Sequence, residues 1–339
     1  MEKKTENIHP DQWLKDLPVT SEPEGFKPEE MLTCPKCQRT SPPTRLNCFY
    51  CGAELPVSEV SNKYLKPNLR KLDAWEKGFN IIHLPSENTE EQANISEIAK
   101  LLDFEREDVE KLLNSHKNLP LARVESQAEA EILVNRFKEF GAESLIVTDE
   151  SLKMEAVTRR LSGIEFLADK LILIRFNIDE IVEIPLEDLS LIVTGAVFER
   201  KIESTELLKR KKESKILDSS EVSSDEFLID IYAKNDSIGY RIELTGFDFS
   251  CLGAEKGLLA KDNIKKLTKK LREVAPTAAF DEDYFRVRAE ISKVWEVDQR
   301  SDASGLQRKA MSGYQRKNVT TINNLAQFTR YSRLQFQLL

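Results

Sequence analysis

The chain has 339 residues, of which 40% are hydrophobic and 32% charged, and its formal net charge is −8. This length is enough for about two or three domains with their own cores, and the negative charge argues against a broad nucleic-acid-binding surface. No apolar run of about 18 residues is present, which excludes a transmembrane helix, and the polar N-terminus lacks a signal core, so we expect a cytoplasmic protein.

Residues 1–30 form an acidic segment that is interrupted by four prolines. Its few apolar side chains are too sparse for a core, so the composition predicts disorder. Trp13, Leu14 and Leu17 nevertheless fall at helical spacing. They indicate either one stray turn or a short docking peptide.

Residues 31–56 contain the most specific pattern of the chain. Cys34-Pro35-Lys36-Cys37 and Cys48-Phe49-Tyr50-Cys51 are separated by ten residues. Two such knuckles can place four thiolates around one tetrahedral Zn²⁺. Since a closed four-thiolate site leaves no position for water or substrate, the pattern predicts one structural zinc ion held by Cys34, Cys37, Cys48 and Cys51.

The sequence Cys-Pro-Lys-Cys … Cys-Phe-Tyr-Cys-Gly-Ala-Glu-Leu of this segment resembles the zinc ribbon of many bacterial multidomain proteins. Gln38 departs from that family, which commonly has glycine at the first knuckle. This departure weakens the turn but not the ligand set. Zinc ribbons often serve in transcription and translation complexes, so the resemblance implies a ribosome- or nucleic-acid-associated role as one hypothesis.

Residues 57–77 are predicted to be a linker carrying Lys63, Lys66, Arg70 and Lys71. A solvated linker and an electrostatic contact are both consistent with this composition.

Residues 78–151 alternate short strand and helix patterns in the order β-α-α-β-α-β. Ser126 is placed to cap the last helix and Gly141 to end it. This order, together with Leu-Pro-Leu-Ala-Arg-Val and a later Phe-Gly-Ala-Glu, resembles the C-terminal domain of the ribosomal stalk protein and the related Clp-protease adaptor fold. The resemblance implies a docking module.

Residues 152–163 are predicted to be a helical connector, and residues 164–298 an antiparallel β-meander closed by helices. For residues 284–297 the apolar residues fit both a strand and a helix, and the preceding acids favour a helix. The segment Glu183-Ile184-Pro185-Leu186-Glu187-Asp188-Leu189 within the meander resembles bacterial pleckstrin-homology-like (GRAM-like) domains. The predicted fold class is therefore multidomain α+β.

A cationic cluster interrupts this last domain. It consists of Lys209, Arg210, Lys211, Lys212 and Lys215. A solvated hairpin insertion is the plain interpretation, and contact with an anionic lipid or phosphate is the sharper one. The second interpretation predicts a peripheral membrane protein.

Residues 299–339 form a basic C-terminal tail. An apolar stripe begins at Ile322 and ends at Leu338, which predicts a terminal amphipathic helix. This helix either packs on its own protein or binds a partner.

Catalytic motifs are absent from the sequence. His9, His83 and His116 are scattered, Cys251 stands alone, and no nucleophile elbow, phosphate loop or dinucleotide fingerprint occurs. We therefore expect no enzyme and no small-molecule substrate. The leading hypothesis is a cytoplasmic adaptor or scaffold with an unidentified protein partner; a ribosome, a nucleic acid or an anionic membrane surface are the alternative partners.

Overall fold

The computed structural model describes residues 26–56, 64–65, 67, 69–85, 93–208, 215–234, 236–309 and 313–339. For residues 207–208, 215–217, 304–309 and 313–315 only the backbone is described. The chain divides into two compact units, Met1–Lys66 and Pro67–Leu339. No helix in these described ranges is long and apolar enough to cross a bilayer. Residues 1–25 of the segment predicted to be disordered lie outside the described ranges. So do residues 57–63, the first part of the predicted linker.

The first unit contains a two-stranded antiparallel sheet of β1 (Leu32–Thr33) and β2 (Thr40–Ser41). An isolated bridge between Asn47 and Glu54 forms a second, equivalent hairpin. The buried apolar residues of this unit are few: Leu32, Cys34, Cys48 and Leu55. So small a core cannot stabilise a fold by burial alone.

The second unit begins with the predicted β-α-α-β-α-β order. The elements are β3 (Phe79–His83), α1 (Ile95–Leu102), α2 (Arg106–Leu113), β4 (Pro120–Val124), α3 (Gln127–Glu139) and β5 (Ser144–Thr148). The central strand β3 pairs antiparallel with both β4 and β5. Ser126 accepts a hydrogen bond from the Glu129 N–H as the predicted cap of α3, and Gly141 adopts a φ of 80° after the helix.

A nine-stranded sheet follows. Its strands are β6 (Arg159–Phe166), β7 (Lys170–Arg175), β8 (Ile181–Pro185), β9 (Leu189–Leu208), β10 (Lys215–Ala233), β11 (Tyr240–Glu243), β12 (Ala279–Asp281), β13 (Asp298–Lys309) and β14 (Gly313–Asn323). The order is β13-β14-β9-β10-β11-β6-β7-β8, with β12 beside β9. The predicted antiparallel meander is wrong in one respect: β11 pairs parallel with β6, and β12 parallel with β9, so the sheet is mixed.

Three helices cover this sheet: α4 (Ala260–Val274), α5 (Tyr284–Ile291) and α6 (Leu325–Gln337). The helix predicted after the acids at 281–283 is confirmed as α5. Helix α4 buries Ile264, Leu267 and Leu271 in one core cluster. The other core cluster joins residues of β3–β5 to residues of α5, α6 and the large sheet. The small sheet and part of the large sheet therefore share one hydrophobic core.

The predicted helical connector at residues 152–163 is wrong. The chain makes turns from Asp149 to Ala156 and then enters β6. The buried Arg333 of α6 supplies the reason, because its guanidinium donates to the carbonyl oxygens of Leu152, Lys153 and Ala156. These carbonyls are bonded to a distant arginine and therefore need no helix to be satisfied.

The predicted basic tail is likewise part of the second unit. Strand β14 pairs with β9 from Tyr314–Leu208 to Asn323–Glu199, and β13 pairs with β14. Helix α6 buries nine consecutive residues from Gln327 to Gln335, and Phe328, Tyr331 and Leu334 of the predicted apolar stripe belong to the core. The prediction that this helix packs on its own protein is confirmed.

A buried polar cluster lies where α6 meets β3–β5. Asp149 accepts hydrogen bonds from Arg330 Nε at 2.8 Å, Arg123 Nη2 at 2.6 Å and Asn80 Nδ2 at 3.0 Å. Trp295 Nε1 donates to Asn80 Oδ1 at 2.7 Å. Burial by itself raises the pKa of Asp149, but the positive charges of Arg330 and Arg123 outweigh it and hold the pKa below its ordinary value.

Candidate metal centre

The two Cys-x-x-Cys segments of the first unit fold into equivalent knuckles. In the first, the Cys34 N–H donates to the Arg39 carbonyl at 2.9 Å, and the Gln38 N–H donates to the Cys34 carbonyl at 2.9 Å. In the second, the Cys48 N–H donates to the Ala53 carbonyl at 2.7 Å, and the Gly52 N–H donates to the Cys48 carbonyl at 3.0 Å. Each knuckle therefore closes the same pair of turns around its two cysteines.

The backbone of each knuckle turns through a residue with positive φ. This residue is Gln38 in the first knuckle, with φ 59°, and Gly52 in the second, with φ 70°. A side chain in the left-handed region costs about 1–2 kcal/mol, which glycine avoids. The sequence difference at Gln38 thus falls on the turn and leaves the cysteine positions unchanged, as predicted.

The four predicted cysteines lie together. All four Sγ atoms are within 4.8 Å of one another, and the Cys34–Cys51 and Cys37–Cys48 Sγ pairs are each 3.6 Å apart. A tetrahedral ion with metal–sulfur bonds of about 2.3 Å places its sulfurs about 3.8 Å apart. All four residues are free thiols rather than disulfides. The arrangement fits one metal ion with a closed set of four sulfur ligands.

Hydrogen bonds from the surroundings orient these thiols. The Tyr50 N–H points at Cys48 Sγ at 3.4 Å, and the Ser41 hydroxyl donates to the same sulfur at 3.7 Å. Burial raises the pKa of Cys48, but these donors outweigh it and lower the pKa to about 6. The backbone N–H of Cys37 is the largest influence on Cys34 and lowers the pKa of that thiol. Donors that stabilise thiolates are what a metal ligand requires.

The Cys37 thiol differs. The Arg39 N–H lowers its pKa, yet burial and the bonds that it shares with Cys48 and Cys51 outweigh this donor and raise the pKa to about 11. In a set of four adjacent thiols, a negative charge on one sulfur disfavours ionisation of its neighbours. A metal cation removes this conflict because it interacts with all four sulfurs at once.

The tip of the second knuckle carries an exposed aromatic pair. The side chains of Phe49 and Tyr50 are 65% and 54% exposed, and their rings meet edge to face at 5.5 Å. The guanidinium of Arg45 lies over the Phe49 ring, and that of Arg39 over the Tyr50 ring, each at 5.0 Å. We call Phe49, Tyr50, Arg39 and Arg45 the ring face.

The sequence predicted the four cysteines of this segment but not the ring face. The signal was available, since Phe49 and Tyr50 occupy the two positions between metal-ligand cysteines, where a knuckle projects its side chains. Their contacts with Arg39 and Arg45 depend on how the two knuckles are placed against each other, which the sequence pattern does not predict.

The cationic cluster proposed for anionic ligands falls mainly outside the described residues. Lys209, Arg210, Lys211 and Lys212 have no described structure, and Lys215 is described only as a backbone position at the start of β10. The long hairpin of β9 and β10 that brackets them is present.

His83 and Cys251, the other residues considered for a chemical role, are packed against the protein interior. The His83 side chain is fully buried, its Nδ1 is 3.1 Å from the Glu143 carbonyl, and burial lowers its pKa. Cys251 is half-buried at the edge of the α4 core cluster, and burial raises the pKa of its thiol. Neither belongs to the four-cysteine group.

Comparison with family models, with curated proteins and with solved structures yields no match to this chain. The resemblances of residues 78–151 and 164–298 to docking and lipid-sensing domains therefore rest on sequence pattern and element order. What the structure itself supports is a group of four cysteines whose geometry suits one metal ion, in a mixed α+β protein.

Proposed function

We propose that the chain is a non-catalytic adaptor of the zinc-ribbon type, in which one structural Zn²⁺ holds the ring face in position to bind a partner protein. Four sulfur ligands in a tetrahedron are typical of zinc and of iron. We favour zinc because Zn²⁺ does not change oxidation state, which suits a purely structural site. The ion has no open position, so its contribution is to fold the knuckles.

The observation that carries the proposal is the exposure of Phe49 and Tyr50 on a turn whose ends are both metal ligands. Aromatic rings and arginine are the side chains most enriched where partner proteins bind. A turn clamped at Cys48 and Cys51 presents them with little loss of conformational entropy on binding.

The test uses the full-length, zinc-loaded protein and a Phe49→Ala, Tyr50→Ala double variant. Each protein is immobilised on a resin and incubated with native lysate, with and without nuclease treatment. The proteins that co-purify are then quantified. We expect a defined set of proteins that survives nuclease and falls at least about tenfold in the double variant, as for loss of an interface hot spot. Zinc content should stay at one ion per chain.

The matched control is Phe285→Ala. Phe285 is another exposed phenyl ring, 60% exposed, with the Arg288 guanidinium 4.5 Å from its centroid. Loss of partners in this variant too, or no loss in either, contradicts a specific role for the ring face.

A second candidate function is binding to single-stranded nucleic acid or to a ribosome. The stacking of Arg39 and Arg45 on exposed rings favours it, because rings and guanidinium groups are the platforms on which unpaired bases stack. The test is the affinity for a labelled oligouridine at several salt concentrations. A salt-dependent affinity that weakens in Arg39→Gln, Arg45→Gln would support this function, and salt-independent or absent binding would exclude it.

A further inference from the structure

Helix α4 carries a positive charge that the chain as a whole does not share. Its 15 residues include six basic side chains and two acidic ones, whereas the full chain has 50 basic and 58 acidic residues. Exposed charges separated by more than a Debye length, about 8 Å at physiological ionic strength, are largely screened from each other. An anionic surface that approaches α4 therefore meets a positive local charge, although the chain is negative overall.

The solvent side of α4 presents these cations in a row. The helix buries its apolar residues in the core, and Lys261, Lys265 and Lys269 recur every four residues at exposed positions. Residues four apart lie on the same face of a helix. Lys261 and Lys265 form no ion pair with any residue that the structure describes, and Lys269 has an exposed pair with Glu273 at 3.7 Å. The three ammonium groups are therefore accessible to an external anion.

Two exposed leucines come directly before this helix. The Leu258 side chain is wholly exposed, and that of Leu259 is 66% exposed. The backbone that carries them is held in place, because the buried side chain of Asn263 accepts a hydrogen bond from the Gly257 N–H at 2.7 Å and donates one to the Gly257 carbonyl at 2.9 Å. Side chains on a fixed loop lose little conformational entropy when another surface covers them.

The combination of leucines and lysines indicates the kind of surface that covers them. Leucine side chains that lie in water are stabilised by transfer to an apolar medium, and lysines next to a membrane are attracted by anionic lipids. A nucleic acid would engage the lysines and leave the leucines in water. A lipid bilayer engages both, since attachment to its surface strengthens with the apolar area buried and with the attraction to anionic lipids.

A second exposed aliphatic pair shows why α4 is the better candidate. Ile178 lies in the turn between β7 and β8, and Ile181 begins β8; their side chains are 52% and 66% exposed. Asp179 and Glu180 stand between them in the chain. An anionic membrane would repel these two carboxylates, whereas it would attract the lysines that follow Leu258 and Leu259.

We propose that Leu258, Leu259, Lys261, Lys265 and Lys269 form a surface that attaches the protein to an anionic lipid bilayer. The leucines enter the boundary between headgroups and acyl chains, and the lysines contact the anionic headgroups. This surface belongs to the second unit and the ring face to the first, so the attachment and the partner binding proposed above can fail separately.

The experiment measures sedimentation of the full zinc-loaded chain with vesicles of phosphatidylcholine and with vesicles that also contain phosphatidylserine. We expect binding to the second kind, weakening as the salt concentration rises. The triple variant Lys261→Gln, Lys265→Gln, Lys269→Gln should bind at least about tenfold more weakly, since each basic residue near an anionic surface contributes about fivefold in affinity. Leu258→Ala, Leu259→Ala should also bind about tenfold more weakly, because less apolar surface is removed from water.

Each variant has a matched control elsewhere on the second unit. Lys100→Gln, Lys111→Gln, Lys138→Gln removes the same charge from exposed positions of α1, α2 and α3. Ile178→Ala, Ile181→Ala shortens the second aliphatic pair. Both controls should bind the vesicles within about twofold of the unmodified chain, since neither changes the surface at α4. The unfolding temperature should be unchanged in the two α4 variants, whose altered side chains are all exposed.

The ring-face variant Phe49→Ala, Tyr50→Ala separates this proposal from the preceding one. It should bind the vesicles as the unmodified chain does. Loss of vesicle binding in this variant would assign the lipid contact to the ribbon and overturn the proposal. Three other results would do the same: no binding to vesicles that contain phosphatidylserine, equal binding to vesicles of phosphatidylcholine alone, and binding that survives in both α4 variants or falls equally in their controls.

Discussion

The four-cysteine ribbon and the unit of residues 67–339 are stabilised by different kinds of contact. In the ribbon, the buried apolar set comprises four residues, two of which are the cysteines of the metal centre. In the second unit, two large core clusters contain aromatic and aliphatic side chains from helices and strands along its whole length.

This difference shows that one chain can satisfy the requirement for a stable fold in two ways. A segment of about 25 residues cannot bury enough apolar surface to offset its loss of conformational entropy, so we infer that it depends on metal–ligand bonds. The larger unit can bury enough, and it also accommodates a charged cluster in its interior. The four predictions that follow separate these two sources of stability.

The largest expected effect is on the ribbon when its metal is lost. Cys48→Ser, or removal of the ion with a chelator, should unfold residues 31–56 almost completely because metal binding supplies most of their folding free energy. The cooperative unfolding transition of residues 67–339 should stay unchanged. Metal analysis and amide hydrogen exchange of both units measure the result.

Cys251→Ser serves as the control for this experiment, since Cys251 is a free cysteine outside the metal centre. It should retain the full metal content. A ribbon whose amides remain protected without any metal would refute the division of stability described above.

The next effect concerns the buried charges of the second unit. Asp149→Asn removes the carboxylate that Arg123 and Arg330 share, and we expect a loss of about 3–5 kcal/mol in the free energy of unfolding, as for other broken buried ion pairs. Chemical denaturation followed by circular dichroism measures it, and the metal content should not change.

Glu273→Gln is the corresponding control, because it removes an exposed partner of Lys269 at 3.7 Å. A surface pair of this kind contributes little to stability. If the two variants were equally stable, the interior cluster would have no special role.

A smaller loss is expected at a close contact between α6 and β9. A Cβ atom on Gly195 would lie 2.6 Å from Phe328 Cδ2 and 2.9 Å from Tyr284 Cδ1, and both rings are fully buried. Gly195→Ala should therefore destabilise the second unit by about 1–3 kcal/mol through overpacking. Thermal unfolding gives the value.

Gly163→Ala provides a comparison in the same sheet, where the nearest atom, Ile174 Cδ1, would be 3.4 Å from the new Cβ. Its unfolding temperature should fall much less. Equal shifts in the two variants would mean that helix α6 adjusts without cost.

The smallest effect distinguishes the two knuckles. Gln38→Gly should stabilise the metal-bound ribbon by up to about 1 kcal/mol, because glycine tolerates the positive φ of the first turn. Gly52→Ala should act in the opposite direction by about the same amount. Competition for Zn²⁺ with a chromophoric chelator reports both changes, and a weaker affinity in Gln38→Gly would contradict the strain assigned to the first knuckle.

The features that the sequence predicted well depend on contacts between near neighbours. The cysteine spacing brings four thiols together because each knuckle closes within six residues. The cap at Ser126 and the end of α3 near Gly141 follow in the same way from local hydrogen bonding and φ. The ring face of the ribbon was not predicted, since Arg39 and Arg45 reach the rings only across the two knuckles.

The features that were missed depend on distant partners. Residues 313–323 belong to the segment predicted as a tail, but hydrogen bonding to β9, more than a hundred positions away, makes them strand β14, and β13 pairs in turn with β14. The turns at 149–156 replace a predicted helix because Arg333 bonds their carbonyls.

By itself, then, the sequence determined which four cysteines lie together, the element order of residues 79–148 and the apolar face of the last helix. Only the tertiary structure decided that the large sheet is mixed, that the C-terminal strands extend it, and that Arg123, Arg330 and Asp149 meet in the interior. The physical reason is that capping, turn geometry and apolar spacing act over a few residues, whereas strand pairing and the burial of charge are settled by residues far apart in the chain.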